Sequence, residues 1–140
     1  MFDSYAAPNG RFAAKLDPVG EIRFGPPYFS LELLGVHFGE RVFGDSLLFS
    51  PDSRYLAIQE WLTTDEATGP YTQLLLIDCT LLQESAVSQA RKGFIIPKSF
   101  EADKIIYVKN YAGEGLIQEC EMDLATLKDW RPLGEKRSQR

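Results

Sequence analysis

The chain has 140 residues, 44% of them hydrophobic, which is enough apolar material for the core of one domain. Its formal net charge of −5 and pI near 4.9 imply repulsion from phosphate backbones and anionic bilayers, so no nucleic acid and no membrane is expected as partner. No apolar run approaches the roughly 18 residues that cross a bilayer, and Met1-Phe2-Asp3-Ser4-Tyr5 lacks the positive flank of a secretory signal, so a cytoplasmic location is expected.

The first recognisable element is the turn Pro8-Asn9-Gly10, followed by an apolar strand from Phe12 to Leu16. Asp17-Pro18-Val19-Gly20 reads as a second turn, Glu21 to Phe24 as a short strand, and Gly25-Pro26-Pro27 as a rigid turn into a strand from Tyr28 to Leu34. In that last strand Ser30 and Glu32 alternate with Phe29, Leu31 and Leu33, so one of its faces should meet water.

A second unit repeats this plan. Pro51-Asp52-Ser53-Arg54-Tyr55-Leu56-Ala57 echoes Pro8-Asn9-Gly10-Arg11-Phe12-Ala13-Ala14, and the two prolines are 43 residues apart. That spacing falls in the range of about 40–45 residues for one four-stranded propeller blade. Proline presets φ in the turn, Asn or Asp bonds back to the local backbone, and the third residue enters the left-handed region. Glycine does this freely at position 10; Ser53 must do it at some cost. Leu47 to Ser50 precedes this turn, Tyr55 to Leu62 follows it, and a polar loop from Thr63 to Pro70 leads into Tyr71 to Cys79. Leu74-Leu75-Leu76-Ile77 is a continuous apolar run, which predicts burial of both faces.

Thr80-Leu81-Leu82-Gln83 fits a capping box, with Glu84 in the first turn, Arg91 and Lys92 in the last and Gly93 beyond, so one short helix is expected over about Leu81 to Arg91. A third, fainter unit comprises Phe94 to Pro97, Lys104 to Lys109, a turn at Ala112-Gly113-Glu114-Gly115, and Leu116 to Leu124. Ile105-Ile106-Tyr107-Val108 is again continuous and should be covered on both sides. Glu119 and Glu121 alternate with Cys120 and Met122 and should face water. The fold expectation is all-β: about three antiparallel, propeller-blade-like meanders forming an incomplete propeller or an open sandwich or barrel, as one domain over residues 1–133. Residues 134–140 are expected to form a flexible basic tail.

The stretch Leu48-Phe49-Ser50-Pro51-Asp52-Ser53-Arg54-Tyr55-Leu56-Ala57, followed by Leu74-Leu75-Leu76-Ile77-Asp78, resembles the blade signature of WD-repeat and TolB-like β-propellers. The resemblance covers residues 47–78 well and residues 8–34 in part. It implies blades without implying an activity, because propellers carry unrelated functions. Three blades do not close a ring, so their edges need self-association, a partner or a curled sheet. A short acidic chain of this kind is similar in type to bacterial immunity proteins, which bind and neutralise a toxin domain.

Chemistry is sparse. His37 is the single histidine and has no nucleophile or carboxylate at a recognisable spacing. No phosphate loop, nucleophile elbow or calcium loop occurs, so neither a cofactor nor a metal is expected. Cys79 and Cys120 are too few and too far apart for a disulfide framework or zinc site. A glycosidase-like pair assembled from among Glu32, Glu60, Glu119 and Glu121 is the enzymatic alternative.

The favoured interaction segment runs from Trp61 to Tyr71, where aromatic anchors flank Asp65 and Glu66, the alternative being that Trp61 and Tyr71 are strand-end core residues beside a solvated loop; Tyr111 and Glu114 form a second candidate, the alternative being an ordinary turn. These residues predict a non-catalytic module that binds a basic protein such as a toxin domain. A self-associating scaffold, for example a homodimer, is the alternative.

Overall fold

The computed structural model describes residues 3–22 and 25–136. The predicted strand from Glu21 to Phe24 ends at residues 23 and 24, and the predicted tail ends at residues 137–140; both ends lie outside the described residues. Among the described residues the chain is all-β, with twelve strands: β1 (Asp3–Ala6), β2 (Ala13–Glu21), β3 (Pro27–Leu33), β4 (Val36–His37), β5 (Val42–Phe49), β6 (Tyr55–Trp61), β7 (Tyr71–Asp78), β8 (Gln83–Arg91), β9 (Phe94–Glu101), β10 (Lys104–Tyr111), β11 (Leu116–Asp123) and β12 (Arg131–Pro132). They form two antiparallel sheets. The larger runs β1-β2-β3-β5-β6-β7-β8-β12 with β4 beside β3, and the smaller runs β11-β10-β9.

Within the large sheet, β1–β4 and β5–β8 are separate meanders stitched by a single pairing, Phe29 with Phe43. The echo between the two turns is structural. Ala7 and Ser50 each donate an N–H to the carbonyl five residues on, at Phe12 and Tyr55, and their own carbonyls accept from Gly10 and Ser53. Both third residues are left-handed, Gly10 at φ 70° and Ser53 at φ 65°. The flanking registers, Ala6 with Ala13 and Phe49 with Leu56, match at the same offset. The two turns also touch, because the Asn9 N–H donates to Ser53 Oγ at 2.8 Å and the Phe12 ring meets Phe49 edge-on.

Alternation along the strands divides the core. Leu56, Ile58, Leu75 and Ile77 join Leu16, Leu31, Leu33 and Phe43 on one face of the large sheet. Ala57, Leu74 and Leu76 project from the other face and pack against Ile95, Ile105 and Tyr107 of the small sheet. The Leu74–Ile77 run is therefore covered on both sides, as its lack of alternation requires. In β10 the run is less complete, with Ile106 half-buried. The expected wet faces of β3 and β11 are present: Ser30 and Glu32 are partly exposed, and Glu119 and Glu121 are exposed.

Two expectations need correction. The helix over Leu81–Arg91 is instead the turn Thr80–Leu82 followed by β8, which pairs along its whole length with β7. The Asp78 carboxylate accepts the N–H groups of Thr80 and Leu81, both at 3.0 Å, and Leu82 turns left-handed at φ 55°. Side-chain capping here closes a hairpin, not a helix. The apolar β7 needs a partner on its second edge, and that tertiary requirement overrides the helix-favouring Gln, Glu and Ala of residues 83–91. Secondly, Asp17-Pro18-Val19-Gly20 is no turn: β2 continues through it with a bulge between Pro18 and Gly20. Pro18 sits at the bulge, where a residue without an N–H is tolerated in a sheet.

The large sheet buries its own concave face by curling, and one side chain holds the curl. Arg41, in the link between β4 and β5, donates through Nε and Nη2 to both oxygens of Glu60 on β6, at 2.9 and 3.0 Å. Through Nη1 and Nη2 it also reaches both oxygens of Glu84 on β8, at 3.0 and 2.6 Å. Its remaining Nη1 hydrogen goes to the Glu135 carbonyl at 3.0 Å, so all five guanidinium N–H donors are used. Gln73 Nε2 donates to Glu60 at 2.8 Å, the Gly134 N–H donates to Glu84 at 2.8 Å, and the Phe38 and Phe43 rings flank the guanidinium. Gly134 in turn lies against Val36, where a β-carbon would clash, so the segment after β12 closes onto β4 without strand pairing.

Removing Arg41 leaves two buried carboxylates without their cation, a change that typically costs about 3–5 kcal/mol, whereas replacing the whole cluster by apolar residues of similar size is often neutral. R41M should therefore lower the urea midpoint sharply, and R41M/E60L/E84M should recover most of the loss. A single variant within about 1 kcal/mol of the parent would show that the clasp does not hold the curl.

Asp78 provides a second test. Burial alone would raise its carboxyl pKa, but bonds from Arg54 and from the Leu81 and Thr80 N–H groups outweigh that and hold it below the ordinary aspartate value. A depressed carboxyl stabilises the fold above its unfolded value, near about 4, and that contribution is lost as pH falls through the lower folded value. Denaturation across that acid window should show D78N less stable at neutral pH, with a shallower acid loss than the parent. Parallel curves would refute the assignment.

Candidate protein-binding face

Antiparallel order brings three connections to one end of the molecule. The loop 62–70 leaves β6 and enters β7 at Tyr71, which pairs with Arg91 and bridges to Gly93. Phe94 follows and pairs with Asn110, and Tyr111 pairs with Leu116 across the turn 112–115. The Tyr111 ring lies on Gly93, about where a β-carbon would stand, so only glycine allows this approach. Lys92 extends beneath Gly69 and links the 62–70 loop to the same end. Both predicted interaction segments thus share one face.

The predicted residues play different parts there. Trp61 is a core residue, 4% exposed, and not a surface anchor. Its indole N–H donates to Gln59 Oε1 at 2.7 Å, and its rings lie between Tyr28 and Phe94. As the last residue of β6 it faces the small sheet, whose arrival over that position the local sequence does not reveal. The same glutamine fills the space above Gly44, where any side chain would collide with it.

Tyr71 is half-buried. Its hydroxyl donates to Gln89 at 2.7 Å, and Arg91 lies 4.4 Å from its ring centre. Asp65 caps the single turn Glu66–Thr68 by accepting the Ala67 N–H at 3.0 Å, so the loop is shaped by its own acid. Asp65, Glu66 and Glu114 are exposed, and Tyr111 is half-buried.

Sequence reasoning missed Leu116 and Ile117, which are 51% and 66% exposed at the start of β11. The signal was present: adjacent residues of a strand point to opposite faces, so two neighbouring large apolar residues at the head of an alternating strand cannot both face one core. Cys120 and Met122 pack toward the core shared by the two sheets, which turns Ile117, Glu119, Glu121 and Asp123 outward.

The carboxylates considered for catalysis do not form one site. Glu32 lies on β3, 3.6 Å from an outward-facing His37. Glu60 is fully buried within the Arg41 clasp, and Glu119 and Glu121 are on β11, Glu121 bonded to Lys104 at 2.7 Å. The carboxylate that does approach Glu60 is Glu84, and Arg41 spans the two with every donor occupied. Burial, with Asp78 nearby, pushes the Cys79 thiol up to about 12, so it is no nucleophile at neutral pH. Among the described residues no group of three or more His, Cys, Asp or Glu is placed to hold a metal ion, and no helix is long and apolar enough to cross a membrane.

No family model, no curated protein and no solved structure matches this chain.

Proposed function

We propose that the chain is a non-catalytic protein-binding module, and that its partner is a basic protein engaged through the end that carries the loop 62–70 and the start of β11. The observation that carries this reading is the pair of exposed apolar side chains, Leu116 and Ile117, bordered by Glu114 and Glu119 and sharing their end of the molecule with Asp65 and Glu66. Apolar contact area rimmed by charge is the composition of protein interfaces, whereas contiguous exposed apolar groups are a liability on a surface that meets only water. Tyr71 and Tyr111 add half-buried rings with little rotamer entropy left to lose.

A binding role is favoured over catalysis by the state of the interior acids. The two that approach each other are neutralised by a shared guanidinium and packed under Phe38 and Phe43, an arrangement suited to holding a sheet and not to meeting a substrate. The most concrete form of the proposal is an immunity-type inhibitor, whose carboxylates occlude the basic active site or nucleic-acid cleft of a toxin domain. It rests on the overall charge of −5 and on the type resemblance described above.

Charge complementarity acts chiefly on association and buried contacts on dissociation. Affinity capture with the immobilised chain, followed by kinetics with the captured basic protein over a salt series, tests the surface. D65K/E66K/E114K should slow association by about tenfold at low salt and flatten its salt dependence. L116S/I117S should mainly accelerate dissociation. Association rates that coincide for parent and charge-reversed chains at every salt concentration would reject this face.

A further inference from the structure

The backbone of β11 offers more than its side chains do. Its eight residues pair with β10 on one side, and among the described residues no strand pairs with the other side. Alternate N–H and C=O groups from Leu116 to Asp123 therefore point outward along a strand edge. The other margins differ: β1 has four described residues, β8 is met by β12 at Gln83 and Glu84 and by the Lys128 carbonyl at Ser85, and β9, the opposite margin of the small sheet, packs onto the large sheet with the Ile95 N–H and carbonyl bonded to Thr72 and Gln59 and is interrupted by Pro97.

Glutamates on an edge ordinarily serve to repel other strands, and Glu119 and Glu121 fit that role. Leu116 and Ile117 do not, because large exposed apolar residues on an open edge invite pairing. The strand therefore combines an attractive edge with a charge filter. Its outward side chains are Ile117, Glu119, Glu121 and Asp123, and Lys104 pairs with Glu121.

We propose that β11 accepts an extended basic segment of the partner protein as an added strand, with Lys or Arg at alternate positions opposite Glu119 and Glu121 and an apolar residue against Ile117. Main-chain bonds would supply affinity and the alternate side chains specificity. A second copy of this chain is disfavoured as occupant. Antiparallel self-pairing about the middle of β11 would crowd Glu119 and Glu121 of one copy against the same residues of the other, and like charges at paired positions are destabilising. The proposal rests on the protein-binding reading and specifies its geometry.

The test uses the full chain and a ten-residue peptide of alternating Lys and Val in which one Lys near the C-terminus is replaced by Val, so that Lys faces Glu119 and Glu121 while Val faces Ile117. Saturable binding below about 1 mM is expected, with slower amide exchange over residues 116–123. Loss of about tenfold or more in affinity is expected for E119K/E121K, a smaller loss for E119Q/E121Q, and at least tenfold for the same peptide N-methylated at every peptide bond. Equal affinity of the N-methylated peptide would overturn strand addition, as would equal affinity of a Glu-Val peptide or of the charge-reversed chain. Sedimentation showing a dimer whose β11 amides are protected without peptide would assign the edge to a second copy and overturn the proposal. A captured basic protein that binds with D65K/E66K/E114K-sensitive rates while β11 exchange stays unchanged would overturn the edge alone and leave the binding face standing.

Discussion

The curl of the large sheet depends on one cation placed where three separated segments of chain must meet. Glu84 lies level with Ile77 and Leu56 in the ladder, while Glu60 lies four residues farther along β6. A flat sheet would hold these carboxylates far apart. Twist brings them within reach of a single guanidinium, whose fixed fork matches two carboxylates at once. Lysine in this position could not satisfy both, because it presents a point charge and not a planar array. The clasp also ties in the segment after β12 through Gly134 and Glu135, so the last described part of the chain is fastened to the same point as the middle.

That clasp explains how a short chain manages a sheet with so many strands. The two meanders of the large sheet meet through one residue pair, Phe29 with Phe43, which alone is a weak seam. Further contacts bridge it, among them the Asn9–Ser53 bond between the two turns, the Phe12–Phe49 and Tyr28–Trp61 ring pairs, and Arg41 with its flanking Phe38 and Phe43. The similar turns thus share structural duty. The second carries more of it, since Ser53 accepts the Asn9 N–H, and Ser50 Oγ both donates to Asp52 and accepts the Tyr55 N–H. Those local bonds offset the left-handed geometry that serine does not favour.

Legibility in the sequence followed the range of the forces involved. The turns at residues 8–10 and 51–53 could be read because their chemistry is local, and the two-sided burial of Leu74–Ile77 could be read because it is a pattern along one strand. The segment 83–91 could not, since Gln, Glu, Ser and Ala leave its local preference helical and only the waiting edge of β7 makes it a strand. Sequence alone leaves Trp61 open between anchor and core for a related reason: its burial is supplied by Phe94 and Tyr28, neither of them near in sequence. The Arg41 clasp was invisible because its partners are spread from residue 60 to residue 135, with no spacing rule to join them. Leu116 and Ile117 were the opposite case, legible from adjacency alone once strand alternation is applied at the first positions of β11.

The division between interior and surface acids has a consequence for how this chain can work. The carboxylates at the centre of the fold are already answered by cations or backbone N–H groups: Glu60 and Glu84 by Arg41, Asp78 by Arg54 and the residue 80–81 turn. Their charge is spent on the fold. The acids of the 62–70 loop and of β11 are exposed even where they have partners, Asp65 at the Ala67 N–H and Glu121 at Lys104, so their fields reach solvent. On the proposed reading, a basic chain would be drawn to the margin of the small sheet and not to its centre. There, unpaired backbone and apolar side chains are available to convert a weak electrostatic encounter into a specific contact.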